Sequence, residues 1–441
     1  MISDQAGRLC IAFLLLAVVM LAGCRGRSIL DAVFPQREED FNKSESLKGS
    51  PEIKIEKVLP TPTLAEFTDL TIWIPQQFDV LGDSESAKLL KRRFQNFSEK
   101  NPQVNPNVRI KSANGPGSIL ETLTSASAVA PGAVPSLILI SRSDLVQAAF
   151  NDLIVPLEGL SEVMDDKDWF DVARDLGAYE GTKYCFPFAA NALGLVHDQS
   201  GFGNDQPTWS EVLRQTDKLL LPLGDPEALT TIALYLSAGG VIPEKSGLQR
   251  LDQKALLTVF SAYSAAARDK RISSSSLDYQ NDDQVWAAFL SSNQSFVMTW
   301  ANHALSGTGG HELANLPGFG VVPYTLAEGW LWCVTEANER DRIHSIALAE
   351  YLTAPDFLAI WAPLSGYLPV RPSSIQGYKE PSLPNTILEI LDSAHVKPDK
   401  SQISKIGIEF KRAISELILE QNPPEESVQN IISRVEEMNS Q

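Results

Sequence analysis

The stretch Leu70-Thr71-Ile72-Trp73-Ile74 sets Leu70, Ile72 and Ile74 on one face and Trp73 on the other, the two-residue period of a strand. Residues 84–99 change period: Ala87, Leu90, Phe94 and Phe97 form one stripe with lysines and arginines opposite, as in an amphipathic helix. Val108–Ile110 reads as a second strand, and Ser118 with Glu121 makes a capping box for a second helix. Leu137-Ile138-Leu139-Ile140 is continuously apolar, the pattern of a strand buried on both faces. Ser141 or Ser143 can cap the helix that follows, to Phe150. Strand and helix alternating three times predicts an α/β layer with a largely parallel sheet.

Composition agrees and removes other classes. The chain has 441 residues, 44% hydrophobic and 21% charged, enough for two or three domains with their own cores. With 37 basic against 55 acidic residues the net charge is −18, which repels phosphate backbones and argues against a nucleic-acid partner. Five histidines and four cysteines leave little for a metal site and exclude a disulfide scaffold. His311-Glu312-Leu313-Ala314-Asn315 falls one ligand short of H-E-x-x-H, and the glycines before it and Pro317 after it suit no helix. The sequence has no G-x-S-x-G elbow, no phosphate loop and no C-x-x-C. No metal, cofactor or catalytic group is therefore expected.

Farther along, Thr208 and Glu211 form another capping pair before Val212 and Leu213, and helices are expected near 227–238, 252–269 and 282–291. Strands are expected at Phe296–Trp300, 319–322 and 330–334, with mostly helix after Arg342. At the other end, Leu9–Ala22 is an uncharged apolar run, too short to span a bilayer and suited to a signal-peptide core. It ends in Leu21-Ala22-Gly23-Cys24, which resembles the bacterial lipobox. Residues 1–23 are thus expected to be a leader, with lipid on Cys24 anchoring the chain to the extracytoplasmic face of a membrane. A plain signal peptide or an uncleaved anchor is the alternative. Residues 24–66, charged and aperiodic with Pro60-Thr61-Pro62, read as a flexible stalk.

Aromatic placement gives the first hint of a site. Trp73, Trp300, Trp330, Trp332 and Tyr367 fall at strand ends or in Gly/Pro-rich junctions, where aromatics face a cleft or plug a seam between domains. Each residue alone could be either.

Gly181-Thr182-Lys183-Tyr184-Cys185-Phe186-Pro187-Phe188-Ala189-Ala190-Asn191 resembles the hinge segment of the family 1 extracellular solute-binding proteins, which serve ABC importers and include the maltose-binding proteins. Four more segments agree in order. They are Pro207-Thr208-Trp209-Ser210-Glu211, Phe296-Val297-Met298-Thr299-Trp300, Gly318-Phe319-Gly320-Val321-Val322-Pro323, and Ser365-Gly366-Tyr367-Leu368-Pro369-Val370-Arg371. The resemblance runs from about 67 to 375 and implies a two-lobed periplasmic-binding-protein-like fold of type II, with three hinge crossings near 190–194, 316–323 and 337–346. It divides the folded part into an N-terminal lobe (67–190 plus 320–340) and a C-terminal lobe (191–319 plus 341–441).

The same resemblance implies a non-catalytic protein that closes on a mono- or oligosaccharide and delivers it to ABC permease subunits as a monomer. A ligand-sensing or adhesion lipoprotein that keeps the fold is the alternative. The implied ligand residues are Trp300 and Tyr367 for stacking, Asn191 after the first hinge strand, Trp330 and Trp332 on one face after the second crossing, and Trp73 with Gln76 and Gln77 at the end of the first strand. Aromatic faces would cover sugar C–H surface and amides bridge hydroxyls. Where family members show tyrosine-asparagine after the hinge, this chain reads Val196-His197-Asp198, with His197 read as packing before ligand contact. Cys185 and Cys333 are expected as two buried thiols, a disulfide being the alternative.

Overall fold

The computed structural model describes residues 67–198, 207–215, 218–242, 250–292, 296–307, 310–319, 322–335 and 339–439. The leader, Cys24 and the stalk lie outside the described residues. Within them, no helix is long and apolar enough to cross a membrane.

The chain opens as the alternation predicts: β1 (Thr68–Pro75), α1 (Glu85–Lys100), β2 (Val104–Lys111), α2 (Ile119–Val129), β3 (Leu137–Ser141) and α3 (Arg142–Phe150). Ser84, Ser118 and Ser141 each accept a backbone N–H of the helix they precede, satisfying one of its orphaned donors. A short α4 (Asp171–Leu176) leads to β4 (Cys185–His197), 13 residues buried throughout. There follow α5 (Trp209–Gln215), β5 (Leu219–Leu220), α6 (Leu229–Ser237), α7 (Gln253–Arg268) and α8 (Asp282–Ser291). After them come β6 (Phe296–Trp300), α9 (Ala301–Ser306), β7 (Glu312–Asn315) and β8 (Thr325–Val334). The rest is α10 (Glu339–Leu352), α11 (Pro355–Ser365), α12 (Leu383–Ser393), β9 (Ala394–Val396), α13 (Lys400–Leu419) and α14 (Pro424–Asn439).

These nine strands form one sheet, in the order β2-β1-β3-β8-β4-β6-β5, with β9 on β8 and β7 on β4, while Ala178–Tyr179 and Thr182–Lys183 pair separately as a two-stranded sheet. β1 is parallel to β2 and β3. The long β4 joins the two halves: residues 185–192 pair with β8, and residues 193–197 pair with β6 and β7. Its alternation serves two cores. Leu193 and Leu195 face one built on Tyr235, Phe260, Tyr263 and Phe410, while Val196 faces another that runs back to Ile72, Trp332 and Trp361.

Four expectations are corrected here. Residues 341–365 do not join the second lobe. Ile346, Leu352 and Trp361 of α10 and α11 enter the first core instead, against β1 and α1. Arg93 of α1 fixes this packing by donating to Tyr351 O (3.0 and 2.6 Å) while lying 3.5 Å over the Tyr351 ring. The buried Arg371 does the same on the far side of α11, donating to Thr353 O at 2.8 Å and stacking 3.6 Å over Trp169. The chain therefore does not pass to the second lobe at 337–346 but stays with the first through Arg371.

The strand expected at 319–322 is the second difference. Residues 319 and 322 lie outside any strand, and β7 and β8 carry the pairing instead. Third, Cys185 and Cys333 form a disulfide, not two thiols. They stand directly opposite in the β4–β8 register with Cα atoms 4.4 Å apart, the spacing of a non-hydrogen-bonded antiparallel pair. Fourth, Trp73 is not at the end of its strand but inside β1, opposite Arg109 and buried, with Lys111 Nζ 4.7 Å from its ring.

Candidate functional site

Parallel strands leave their carboxyl ends on one edge, where open α/β sheets present loops to ligands. After β1, Gln76–Phe78 make a single 3-10 turn that leaves Gln76 and Gln77 exposed and turns Phe78 inward. Phe78 meets Trp330 edge-on at 5.4 Å and stacks on Tyr367 at 5.6 Å. Trp330 and Tyr367 remain half-buried, so the three rings form one partly open aromatic wall. Gly366, at φ +75°, ends α11 and turns Tyr367 toward that wall. Burial, with Glu328 nearby, pushes the Tyr367 phenol up to about 12, so it stays a neutral hydroxyl.

Next to this wall, Asn191 of β4 stands opposite Glu328 in the β4–β8 register and ties to the first turn of α9. Its Oδ1 accepts from Asn302 N at 3.1 Å and its Nδ2 donates to Asn302 Oδ1 at 2.9 Å. Trp300 precedes that turn and is 8% exposed, mostly given to the second core. Thr299 Oγ1 donates to Asp282 Oδ1 at 3.2 Å and pairs with His303 Nδ1 at 2.7 Å. Asp282 sits at the first position of α8, beside the carboxyl end of β6.

Carboxylates gather at this edge. Asp282 is pushed up to about 7 by burial, with Asp225, Glu328 and Asp283 adding repulsion in the same direction. Burial also raises Glu328, against the pull of Lys397, whose Nζ lies 3.6 Å from it and 3.7 Å from Glu227. Asp225 is raised too, although it accepts Glu227 N at 3.0 Å and Leu229 N at 2.9 Å. The arrangement can cover a ring's C–H face with aromatics and bond polar substituents with amides and carboxyls.

The family model of the bacterial extracellular solute-binding proteins matches residues 93–385. This chain belongs to that family. The family is one of binding proteins, and two-lobed members share its fold. No curated protein is similar to the chain by sequence alone. A solved cyclo/maltodextrin-binding protein in complex with maltotetraose superposes with a TM-score of 0.66 at 16% identity, covering 84% of this chain and 97% of that one. The sugar-binding protein MalE of Xanthomonas citri gives 0.64 at 18% identity, covering 85% and 98%. UgpB of Mycobacterium tuberculosis, in complex with glycerophosphocholine, gives 0.62 at 13%, covering 83% and 97%.

In this solute-binding protein the residues expected from sequence divide by position. Trp330 and Asn191 lie on one face of the β4–β8 pairing, Tyr367 joins Trp330 through Phe78, and Gln76 and Gln77 are exposed on the turn that carries Phe78. Trp332 has no exposed surface and packs against Phe94 and Phe188, two residues deeper on the same strand. Trp73 is core as well. His197 packs 5.7 Å from the Phe296 ring with Glu312 4.0 Å away. Phe78, Asn302, Asp225, Asp282 and Glu328 were missed. Only Glu328 carried a visible signal, as the one charge in the apolar strand Thr325–Val334. Among the described residues no group of three or more His, Cys, Asp or Glu could hold a metal.

Proposed function

We propose that this solute-binding protein captures a carbohydrate between its lobes and delivers it to an ABC permease, held at the extracytoplasmic face by lipid on Cys24. The observation that carries the reading is the aromatic wall of Phe78, Trp330 and Tyr367 beside the Asn191–Asn302 pair, where the pairing of β4 passes from β8 to β6. Flat faces beside amides and carboxyls suit a ligand that is apolar on its ring faces and hydroxylated at its edge. Lobe closure would then bring Asp282 and Glu328 to the hydroxyls, and a permease would recognise the closed form.

Heating the purified chain with maltodextrins, monosaccharides and polyols tests the reading. A ligand at 100 times its dissociation constant adds about 2.7 kcal/mol of stability. The expected result is a raised melting temperature with at least one sugar, lost in Trp330→Ala. A flat panel across all sugars would remove the carbohydrate assignment. Mass spectrometry of the membrane fraction tests the anchor, and a mature chain without lipid on its first cysteine would remove that part.

A further inference from the structure

Beside Asn302 runs a hydrogen-bonded row of four side chains from three consecutive elements. Asp282 and Asp283 open α8, Thr299 sits in β6, and His303 stands in the first turn of α9. Thr299 Oγ1 lies 3.2 Å from Asp282 Oδ1 and 2.7 Å from His303 Nδ1, and His303 Nε2 lies 3.2 Å from Asp283 Oδ1. The Trp286 indole lies parallel to the imidazole, with ring centroids 5.4 Å apart, and holds it in an orientation that serves both neighbours. Thr299 is fully buried, whereas Asp283 is exposed and opens the row to water.

Three links join these four groups, and each needs one hydrogen. With both carboxylates ionised and the imidazole neutral, the hydroxyl and the ring supply two, so one link stays unmade. A ring hydrogen on Nε2 leaves Thr299 to donate to Asp282 or to His303 but not to both. A ring hydrogen on Nδ1 turns the Nε2 lone pair to the Asp283 carboxylate. One added proton completes the row, whether it sits on Asp282, which then donates to Thr299, or on His303, which then donates at both nitrogens. A second added proton leaves four hydrogens for three links. The surrounding charges favour the first proton. Asp225, Glu328 and Asp283 face Asp282, and Lys397 is divided between Glu328 and Glu227. Burial opposes a charge confined to His303, against the pull of Asp283. His311, edge-on to the same Trp286, is paired with Asp198.

We propose that the row is a one-proton latch: Asp282 and His303 share a proton through the Thr299 hydroxyl, and its loss unfastens α9 from α8 and loosens the turn that presents Asn302 to Asn191. Thr299 and His303 are positioning residues in this device. His303 follows Asn302 directly, so the N–H that Asn302 donates to Asn191 Oδ1 at 3.1 Å sits one residue from the ring that lets go. An alkaline medium thus frees the amide pair at the candidate site, whatever solute the site takes.

Nuclear magnetic resonance of the full chain without solute, from about pH 5 to about pH 9, tests the proposal. His303→Gln identifies the His303 ring nitrogens by their disappearance. In the unaltered chain their shifts and the protection of the Asn302 amide should change over one transition. Above it, Asn302 should exchange about fivefold faster than the intrinsic pH effect accounts for, as for one lost hydrogen bond. Asp282→Asn supplies an amide that donates to Thr299 and completes the row with no added proton, so protection should no longer depend on pH. Thr299→Val should leave His303 titrating beside Asp283 while Asn302 protection ceases to follow it. Asp282 is half-buried at a helix start, so its variant decides the matter where Thr299→Val does not fold. The proposal is overturned by a His303 ring that does not change over this range, by Asn302 protection that ignores the transition in the unaltered chain, or by pH dependence that persists in either variant.

Discussion

Gly366→Ala separates backbone strain from lobe closure. Gly366 adopts φ +75°, where an L-residue costs about 1–2 kcal/mol. A Cβ at that position would also overlap Ser306 Oγ and come within 2.9 Å of Ser306 Cβ. The two effects differ in origin. The strain belongs to the turn after α11, which is tied to β4 by the Ala190–Leu368 bridge, whereas the overlap exists only while α9 lies against that turn. Gly366→Ala should therefore lower the unfolding free energy in urea by the strain alone, about 1 kcal/mol, and shift the lobes toward a more open arrangement. Adding Ser306→Gly should restore closure, because it removes the two nearest atoms and leaves only Ser306 Cα at 3.1 Å, and should leave the stability loss in place. Small-angle scattering reads the opening as a larger radius of gyration, and urea unfolding reads the strain, on the four proteins of the cycle. An enlarged radius that persists with Ser306→Gly, or no enlargement in Gly366→Ala, would refute the reasoning.

Reduction of the Cys185–Cys333 disulfide opens a loop with a sequence separation of 148, for which chain entropy gives an upper limit of about 5 kcal/mol; denaturation with and without reductant should show a loss of ~2–5 kcal/mol. The Asp282 carboxyl is lifted to about 7 in the fold from an ordinary 3.8, so the folded state holds a proton that the unfolded state has lost. Its contribution to stability consequently falls as pH rises from about 4 to about 7 and is level above that. Asp282→Asn should flatten this part of the profile in urea midpoints taken from pH 4 to 8, and an unchanged slope would count against the burial argument. Trp330→Ala removes one ring of the aromatic wall, where such a pair contributes about 0.5–1.5 kcal/mol, so sugar affinity should drop by roughly tenfold in titration calorimetry.

What the sequence revealed was local. The caps at Ser84, Ser118 and Ser141, the stripe of Ala87, Leu90, Phe94 and Phe97, and the apolar run of β3 each lie within one element and its neighbour, so periodicity reads them directly. What it hid was pairing across distance. Cys185 faces Cys333 only because β4 and β8 share a register set by residues between them. The placement of α10 and α11 depends on Arg93 and Arg371 reaching across to Tyr351 and Trp169, contacts with no sequence spacing of their own. The candidate site was half legible for the same reason. Aromatics at junctions stood out by type, whereas Asp225 and Asp282 look like ordinary helix-start acids until folding brings them beside Glu328. Trp332 had the right residue type and strand, and its depth under α1 is what the alternation could not convey.

The disulfide also fixes the covalent topology of the molecule. The chain between Cys185 and Cys333 carries β5, β6, β7 and α5–α9, so the core around Tyr263 is built largely on a closed ring of backbone. A single peptide-bond cut anywhere in that ring leaves both fragments attached through sulfur. A nicked molecule would run as one band without reductant and as two with it, and the aromatic wall, two of whose three rings lie outside the ring, would stay joined to the Asn191–Asn302 pair within it.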